Sequence, residues 1–228
     1  MRNCIIPVEE VLLADKLSNR VRKIDRHGMI TTIAGNGERG FNGDGGLATK
    51  ASLYYPTGVF QYKQEIYIAD CDNGRIRKID RSGIISTITN RYHLPHSLFV
   101  HNDVVYFSTC LHQLFKILPN GTIKTIAGLE KKSGFNGDDK LAIKCIFNSI
   151  SGIFVDDESQ IYIADSFNHC IRRIDRNKMM RRVIGTGVEG YSGDVPFDFY
   201  QYPHIGPRKK PIKTFPQAYH DLIVICMD

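Results

Sequence analysis

The sequence predicts an all-β protein of the β-propeller class, with about four blades of four strands each. Two observations carry this prediction. Short runs of β-branched and aromatic residues alternate with clusters of turn formers, and the whole pattern recurs along the chain. Four-stranded units that repeat at intervals of about 40 to 55 residues are typical of propeller blades.

The clearest unit runs from Ile66 to Ile88. Its strands are predicted at Glu65–Ala69, Arg75–Ile79 and Ile84–Ile88, and turn-forming residues lie between them. Ile76 and Ile79 break strict alternation in the middle strand, which indicates a bulge or a strong twist. A short run at Gly58–Phe60 supplies the first strand, which completes a four-stranded unit.

Three further copies of this unit can be aligned, at residues 11–33, 104–126 and 161–175. The copy at 104–126 is degenerate and is one residue shorter at its first turn. The spacing is 55 residues from Asp15 to Asp70, 39 from Asp70 to Thr109 and 56 from Thr109 to Asp165.

The connectors between the units explain this uneven spacing. Gly35–Thr57 and Gly128–Ser151 are long and share the sequence Gly-Phe-Asn-Gly-Asp, at residues 40–44 and 134–138, whereas the connector at 90–93 is short. A similar Gly-Tyr-Ser-Gly-Asp begins at Gly190. We expect the glycines to serve tight turns, with a short helical turn at Leu47–Ala51.

The pattern Tyr-Ile-Ala-Asp, then Asn, then Ile-Arg-Lys-Ile-Asp resembles the NHL repeat family, in which the Gly-Phe-Asn-Gly-Asp-Gly-Gly connector is also common. The resemblance covers about residues 11–194 and implies a propeller that usually closes with six blades. Only four units are found here, and the first begins at what corresponds to a second strand. We therefore expect a piece of a larger propeller or an irregular one, with open sheet edges through which copies could associate.

The domain prediction follows from where the repeats stop. Residues 1–194 form the blades, and residues 195–228 form an irregular tail. Near its end, Asp221–Cys226 resembles a second strand.

Composition sets the outer limits on function. The 228 residues carry a formal net charge of +6, which permits binding to nucleic acid without requiring it. The chain has no 18-residue apolar run and no signal-peptide pattern, so a membrane span is not predicted and a cytoplasmic location is favoured over other compartments, with the compartment left open. Six cysteines without a Cys-x-x-Cys motif indicate reduced, structural cysteines.

The candidate binding face follows from strand direction, because the turn between the second and third strands lies at the same end of a blade as the connector between blades. Loops on a rigid scaffold commonly carry function. The candidate residues in these loops are Asp70, Asp72, Asn73, Asp165, Phe167, Asn168, Phe41, Asn42, Asp44, Phe135, Asn136 and Asp138.

A structural role competes with this interpretation. Asp15, Asp70 and Asp165 are expected to bond within their own turns, and Asp15 and Asp70 are candidates to pair with Arg20 and Arg75. The loop after Asp70 does not fit calcium ligation, and the glycine-rich connectors lack the Gly-Lys-Ser/Thr ending of a phosphate loop. The basic strand residues are expected to be paired or solvated.

The sequence favours a non-enzymatic binding or scaffold module that presents its blade loops to a protein partner. Two alternatives stay open: RNA binding through a basic face, and a propeller hydrolase or lyase with a central metal. No cofactor, metal ligand set or catalytic residue is predicted, because the histidines do not recur at matching blade positions.

Overall fold

The computed structural model describes residues 10–89 and 92–190, whose strands form four antiparallel sheets. The sequence-based expectations for an irregular segment at Val195–Tyr219 and a strand at Asp221–Cys226 lie outside these residues. The predicted all-β propeller of four blades is confirmed, and each sheet is one blade.

The strands follow the chain within each blade. Blade 1 contains β1 (Glu10–Asp15), β2 (Arg20–Asp25) and β3 (Ile30–Ala34). Blade 2 contains β4 (Pro56–Tyr62), β5 (Glu65–Asp70), β6 (Arg75–Ile79) and β7 (Ile85–Thr87). Blade 3 contains β8 (Pro95–His101), β9 (Val104–Thr109), β10 (Leu114–Ile117) and β11 (Ile123–Ala127). Blade 4 contains β12 (Lys140–Leu141), β13 (Ile150–Val155), β14 (Ile161–Asp165), β15 (Cys170–Ile174) and β16 (Met179–Ile184).

The sequence indicates a bulge in β6, and the strands that match β6 in the other three blades, β2, β10 and β15, each contain a register shift. The register shifts at Val21/Arg22 in blade 1, at Leu114/Phe115 in blade 3 and at Ile171/Arg172 in blade 4. At the matching place in blade 2, the adjacent residues Ile76 and Arg77 are both fully buried. Ile76 packs in the core between blades.

Each long connector extends the blade that follows it. The connector before blade 2 runs beside the outer strand, where Gly45 N–H donates to the Ile85 carbonyl over 2.8 Å and Ile85 N–H donates to the Gly46 carbonyl over 3.0 Å. Short 3-10 turns follow at Ala48–Lys50 and, in the second long connector, at Ala142–Lys144. In blade 4 the connector supplies β12, which pairs with β16.

These added segments cover outer strand edges that would otherwise be open to other chains. Blade 3 differs from blades 2 and 4, because in the part of the chain that the structure describes its sheet ends at β11, as the sheet of blade 1 ends at β3. The short connector before blade 3 is the reason, since it has too few residues to reach that edge. The sequence predicts open sheet edges, and the uncovered edge of β11 is one such edge in the described part of the chain. Association of copies through this edge stays a prediction.

The apolar core lies between blades rather than inside one closed layer. One cluster packs blade 1 against blade 2 around Val21 and Ile68, a second packs blade 2 against blade 3, and a third packs blade 3 against blade 4. Phenylalanine rings on the innermost strands run across the blades, with centroids 4.6 Å apart for Phe60–Phe99 and 5.4 Å apart for Phe99–Phe154. Phe and Tyr thus supply the aromatic volume in a chain that has no Trp.

Candidate functional site

The turns between second and third strands and the long connectors lie at one end of the blades, here called the connector face. Asn73 Nδ2 in the blade 2 turn donates to the Gly40 carbonyl over 2.7 Å, and Asn168 Nδ2 in the blade 4 turn donates to the Gly134 carbonyl over 2.8 Å. Each connector is therefore bonded to the turn of the blade that it precedes.

A buried ion pair fixes the blade 2 turn. Arg77 Nη1 lies 3.3 Å from Asp70 Oδ2, and both side chains are fully buried. The Tyr54 N–H also donates to Asp70 Oδ1 over 2.8 Å, and Asn73 Nδ2 donates to Asp70 Oδ2 over 2.8 Å. The carboxylate thus accepts three hydrogen bonds, which is the condition for a buried charge to be stable.

The same arginine also binds the connector. Arg77 Nη2 donates to the Asn42 carbonyl over 3.0 Å and lies 2.8 Å from Asp44 Oδ1. Its guanidinium lies 4.8 Å from the centre of the Phe41 ring. Asn42 Oδ1 in turn accepts from the Ser52 N–H over 2.8 Å, which shapes the connector itself.

Blade 4 repeats this arrangement. Arg172 pairs with Asp165 over 3.2 Å and with Asp138 over 2.9 Å, and its guanidinium lies 5.0 Å from the Phe135 ring centre. Asn136 Oδ1 accepts from the Ile146 N–H over 2.9 Å, as Asn42 does for Ser52. We call the pairs Asp70–Arg77 and Asp165–Arg172, each with its connector carboxylate, the Asp–Arg clamps.

The predicted pairing of Asp70 with Arg75 is wrong. Arg75 lies directly across from Asp70 in the strand ladder, but its guanidinium stacks 3.6 Å from the Phe41 ring centre and its Nη1 donates to the Asn73 carbonyl. Arg77, two residues further on, is enclosed by the connector and can reach Asp70 diagonally. In blade 1, Arg20 likewise bonds the carbonyls of Ser18 and Asn36.

Burial dominates the electrostatics of both clamp aspartates. Burial raises the pKa of Asp70 above its ordinary value, although the Tyr54 N–H, Asn73 and Arg77 all oppose this shift. The pKa of Asp165 is raised by the same cause. Both side chains are fully enclosed, so they hold the loops in place instead of contacting a ligand.

Blade 3 has an apolar substitute for the clamp. In the ladder, Phe115 lies across from Phe107 as Arg77 lies across from Ile68, and Thr109 stands at the place of Asp70. Tyr92 of the short connector packs against both rings, with centroids 5.4 Å from Phe107 and 5.2 Å from Phe115. The charged pair thus occurs in the two blades whose connectors supply a carboxylate and carbonyls to receive it.

Four of the twelve candidate residues keep a large exposed surface on the connector face without holding a clamp carboxylate or amide bond: Phe41, Asp72, Phe135 and Phe167. The structure adds two exposed apolar residues that the sequence argument missed, Leu17 and Leu94. Leu17 occupies in blade 1 the turn position that Phe167 occupies in blade 4. The repeat alignment therefore already indicated that Leu17 lies on this face. Leu94 lies between the short connector and β8 with a positive φ of 45°, a conformation that the sequence did not indicate for a leucine.

The basic strand residues are largely engaged. Arg77 and Arg172 are buried, Lys23 pairs with Glu10 over 2.9 Å, and Lys78 pairs with Glu65 over 2.7 Å. These residues therefore do not form a free cationic stripe along the third strands.

The described residues also bear on metal binding and on membrane crossing. Within residues 10–89 and 92–190, no group of three or more His, Cys, Asp or Glu side chains is placed to hold a metal ion. None of the helices described in these ranges has the length and apolar character needed to cross a membrane.

These blades are similar in sequence and in fold to parts of known proteins. A family model described as the Teneurin NHL domain matches residues 37–100, which span the first long connector, all of blade 2 and most of β8. This segment of the chain is similar to NHL repeats. Teneurin-m of Drosophila melanogaster is 28% identical over 187 residues, an alignment that covers 68% of this chain and 6% of that protein. The chain thus spans a small fraction of the length of that relative.

A solved structure shares the fold of these blades at low sequence identity. A chain in the crystal structure of a nidogen/laminin complex matches with a TM-score of 0.52 and 13% identity, over 73% of this chain and 55% of that chain. Virginiamycin B lyase from Staphylococcus aureus matches with a TM-score of 0.48 and 16% identity, over 76% of this chain and 51% of that chain. The NHL model also includes Asp70, Arg77 and Asp44, so one complete clamp lies inside the matched segment.

Proposed function

We propose that this chain is a non-enzymatic protein-binding module whose connector face contacts a partner through exposed apolar side chains. The observation that carries the proposal is the set of large apolar residues at the loop tips of this face. Their exposed fractions are 78% for Leu17, 40% for Phe41, 42% for Leu94, 47% for Phe135 and 67% for Phe167.

Exposed aromatic and aliphatic side chains of this size are costly to leave in water and are enriched where proteins bind one another. Three of them, Phe41, Phe135 and Phe167, stand on loops whose backbones are held by the Asp–Arg clamps. A loop that is already ordered loses little conformational entropy on binding, so more of the contact energy appears as affinity. The partner surface that fits is apolar at its centre.

The fold has a precedent for protein contacts in the nidogen/laminin complex. The likeness to that chain is one of fold, at 13% identity, and it does not identify a partner for this protein. The proposal therefore rests on the exposed residues themselves.

Site-specific photo-crosslinking tests the proposal in the cells that produce the protein. A photoreactive amino acid is placed at Phe167, at Leu17 or, as the matched control, at exposed Asp157 in the turn at the opposite end of blade 4. We expect the same protein to be crosslinked from Phe167 and Leu17 and not from Asp157. Phe167→Asp should then weaken binding of that purified protein at least tenfold.

Crosslinks of equal strength from Asp157, or unchanged binding by the Phe167→Asp variant, would contradict a partner on the connector face. Phe167 is exposed, so the substitution should leave the fold intact. A thermal melt of the variant checks this point.

RNA binding is the alternative that the net charge of +6 supports, with exposed Arg39, Lys131 and Lys132 on the connectors. A salt titration of binding to a mixed-sequence RNA separates it from protein binding, because each phosphate contact releases a counterion. A log–log slope steeper than about −3 would favour RNA over the proposal. For the hydrolase or lyase alternative, stoichiometric metal in the purified protein would favour an enzyme.

A further inference from the structure

The junction between blades 2 and 3 differs from the other described junctions, because its connector is short. Two cysteines lie at this junction, at the same position in consecutive blades. Cys71 directly follows Asp70 in the blade 2 turn, and Cys110 directly follows Thr109 in the blade 3 turn, 39 residues later. Asp70 lies across from Pro56 in the first ladder of its blade, as Thr109 lies across from Pro95.

The inner strands bring these two turns together. Thr57 Oγ1 at the start of β4 donates to the His96 carbonyl at the start of β8 over 2.9 Å. At Gly58, an added Cβ would lie 2.8 Å from the same carbonyl, which shows how closely the two strands approach. The Cys71 and Cys110 thiols are near enough to perturb each other's protonation.

The short connector holds both turns from the other side. Tyr92 N–H donates to the Gly74 carbonyl over 2.7 Å, and Cys110 N–H donates to the Leu94 carbonyl over 3.0 Å. The two turns are therefore positioned by contacts on two sides, from the inner strands and from the short connector, and the closeness of the cysteines does not depend on their own side-chain conformations alone.

We propose that Cys71 and Cys110 form a reversible disulfide that joins blade 2 to blade 3. In the reduced structure both thiols are free. This modification would add a covalent link at the one described junction where a long connector and its clamp are missing. It is independent of the partner proposed for the connector face.

The two cysteines differ in the way that thiol–disulfide exchange requires. Cys110 is exposed, and its interaction with Cys71 lowers the pKa of Cys110, which favours the thiolate form of Cys110. Cys71 is buried, and its pKa is raised, first by its interaction with Cys110 and second by burial. Cys110 is thus the attacking thiol and Cys71 the resolving one.

The reaction uses a low-molecular-weight disulfide, such as glutathione disulfide, as the oxidant. The Cys110 thiolate attacks one sulfur, forms a mixed disulfide and releases one glutathione thiolate. Once the Cys110 charge is gone, the main cause of the raised Cys71 pKa is gone too, and Cys71 loses its proton to solvent. Its thiolate attacks the Cys110 sulfur and releases the second glutathione thiolate, so two protein thiols are oxidised and one small disulfide is reduced to two thiols.

Peptide mapping of the full chain tests the proposal. The reduced protein is incubated with glutathione disulfide near neutral pH, alkylated and digested without reductant. We expect a linked Cys71–Cys110 peptide, loss of two hydrogens in the intact mass and continued alkylation of Cys145 and Cys170 after unfolding. Closing a loop of this length should raise the melting temperature by roughly 5 °C or more, and reductant should reverse the rise.

The Cys110→Ser variant should lose both the linked peptide and the thermal shift, while the Cys145→Ala control keeps them. A lasting glutathione adduct on Cys110 without the linked peptide, or a different pairing, would overturn the inference. Peptide mapping of the chain with its native sequence is enough to show whether Cys71 and Cys110 are linked, so the test does not depend on the folding of a variant.

Discussion

Replacing Arg77 by methionine tests the Asp–Arg clamp most directly. Methionine keeps much of the volume of the side chain and removes its charge and every donor. The carboxylate of Asp70 then stays fully buried with only the Tyr54 N–H and Asn73 as partners. The connector also loses its bonds to the Asn42 carbonyl and to Asp44.

The expected cost follows from these losses. Breaking a buried ion pair by removing one partner costs about 3–5 kcal/mol, because the remaining charge is left uncompensated. Asp44 is 40% exposed, so its loss of Arg77 adds little beyond that figure. We therefore expect Arg77→Met to lower the free energy of unfolding by about 3–4 kcal/mol and the melting temperature by roughly 10 °C.

The matched control is Lys78→Met, the next residue on the same strand. Lys78 forms a partly exposed pair with Glu65 over 2.7 Å, so its loss should cost no more than about 1 kcal/mol. Chemical denaturation of both variants, followed by circular dichroism, gives the two free energies. The reasoning fails if Arg77→Met costs as little as Lys78→Met.

A double-mutant cycle sharpens the test. With Asp70→Asn in the background, no buried charge is stranded, so Arg77→Met should cost at least about 1 kcal/mol less than in the native sequence. Strict additivity of the two substitutions would mean that Asp70 and Arg77 do not interact in the way proposed.

Three further predictions concern the same blade. Gly74 has φ +64° and its added Cβ would lie 2.6 Å from the Tyr92 carbonyl oxygen, so Gly74→Ala should cost about 2 kcal/mol or more in a denaturation experiment, and a neutral effect would contradict this contact. Lys78 lowers the pKa of Glu65, so the native pair contributes stability above the ordinary glutamate pKa, and this stability is lost as pH falls through the lowered pKa. Glu65→Gln should remove this small pH dependence of the unfolding free energy. Identical pH profiles for the native protein and the variant would refute it. Burial raises the pKa of Asp70, so the folded state binds the proton more tightly and stability falls as pH rises from the ordinary aspartate pKa through the raised one; Asp70→Asn should remove that fall, measured as unfolding free energy against pH.

The blades were predictable because their signal is local and repeated. The third strand of blade 2 begins and ends where the sequence places it, at Arg75 and Ile79, and the helical turn falls within Leu47–Ala51. Alternation and turn chemistry act over a few residues, and four copies of the pattern average out the exceptions.

The ion-pair partner of Asp70 was not predicted correctly, because strand pairing shows which residue lies opposite Asp70 but not which arginine is buried beside it. Arg75 and Arg77 have the same sequence character, and they differ in how the connector covers them: it buries Arg77 completely and leaves Arg75 partly exposed. A signal was present in the spacing of seven residues, which recurs from Asp70 to Arg77 and from Asp165 to Arg172. In the degenerate blade the aspartate and the arginine are both replaced.

The pairing of Cys71 with Cys110 was also beyond the sequence. The cysteines are separated by a whole blade, and their closeness depends on how neighbouring inner strands approach at Thr57 and His96. Repeat spacing gives the equivalence of the two turns, but the distance between blades is a property of their packing.

The attachment of each long connector to the following blade determines where the chain can be divided. A cut before an inner strand would leave the outer edge of that blade uncovered and its clamp arginine without acceptors. A cut just before Gly35 or Gly128 would keep each connector with the blade that it completes. Blades 2 and 3 then form one transferable segment, residues 35–127, because blade 3 brings no covering connector of its own. Chimeras and truncations made at these glycines should retain folded blades, whereas those made at the strand boundaries should not.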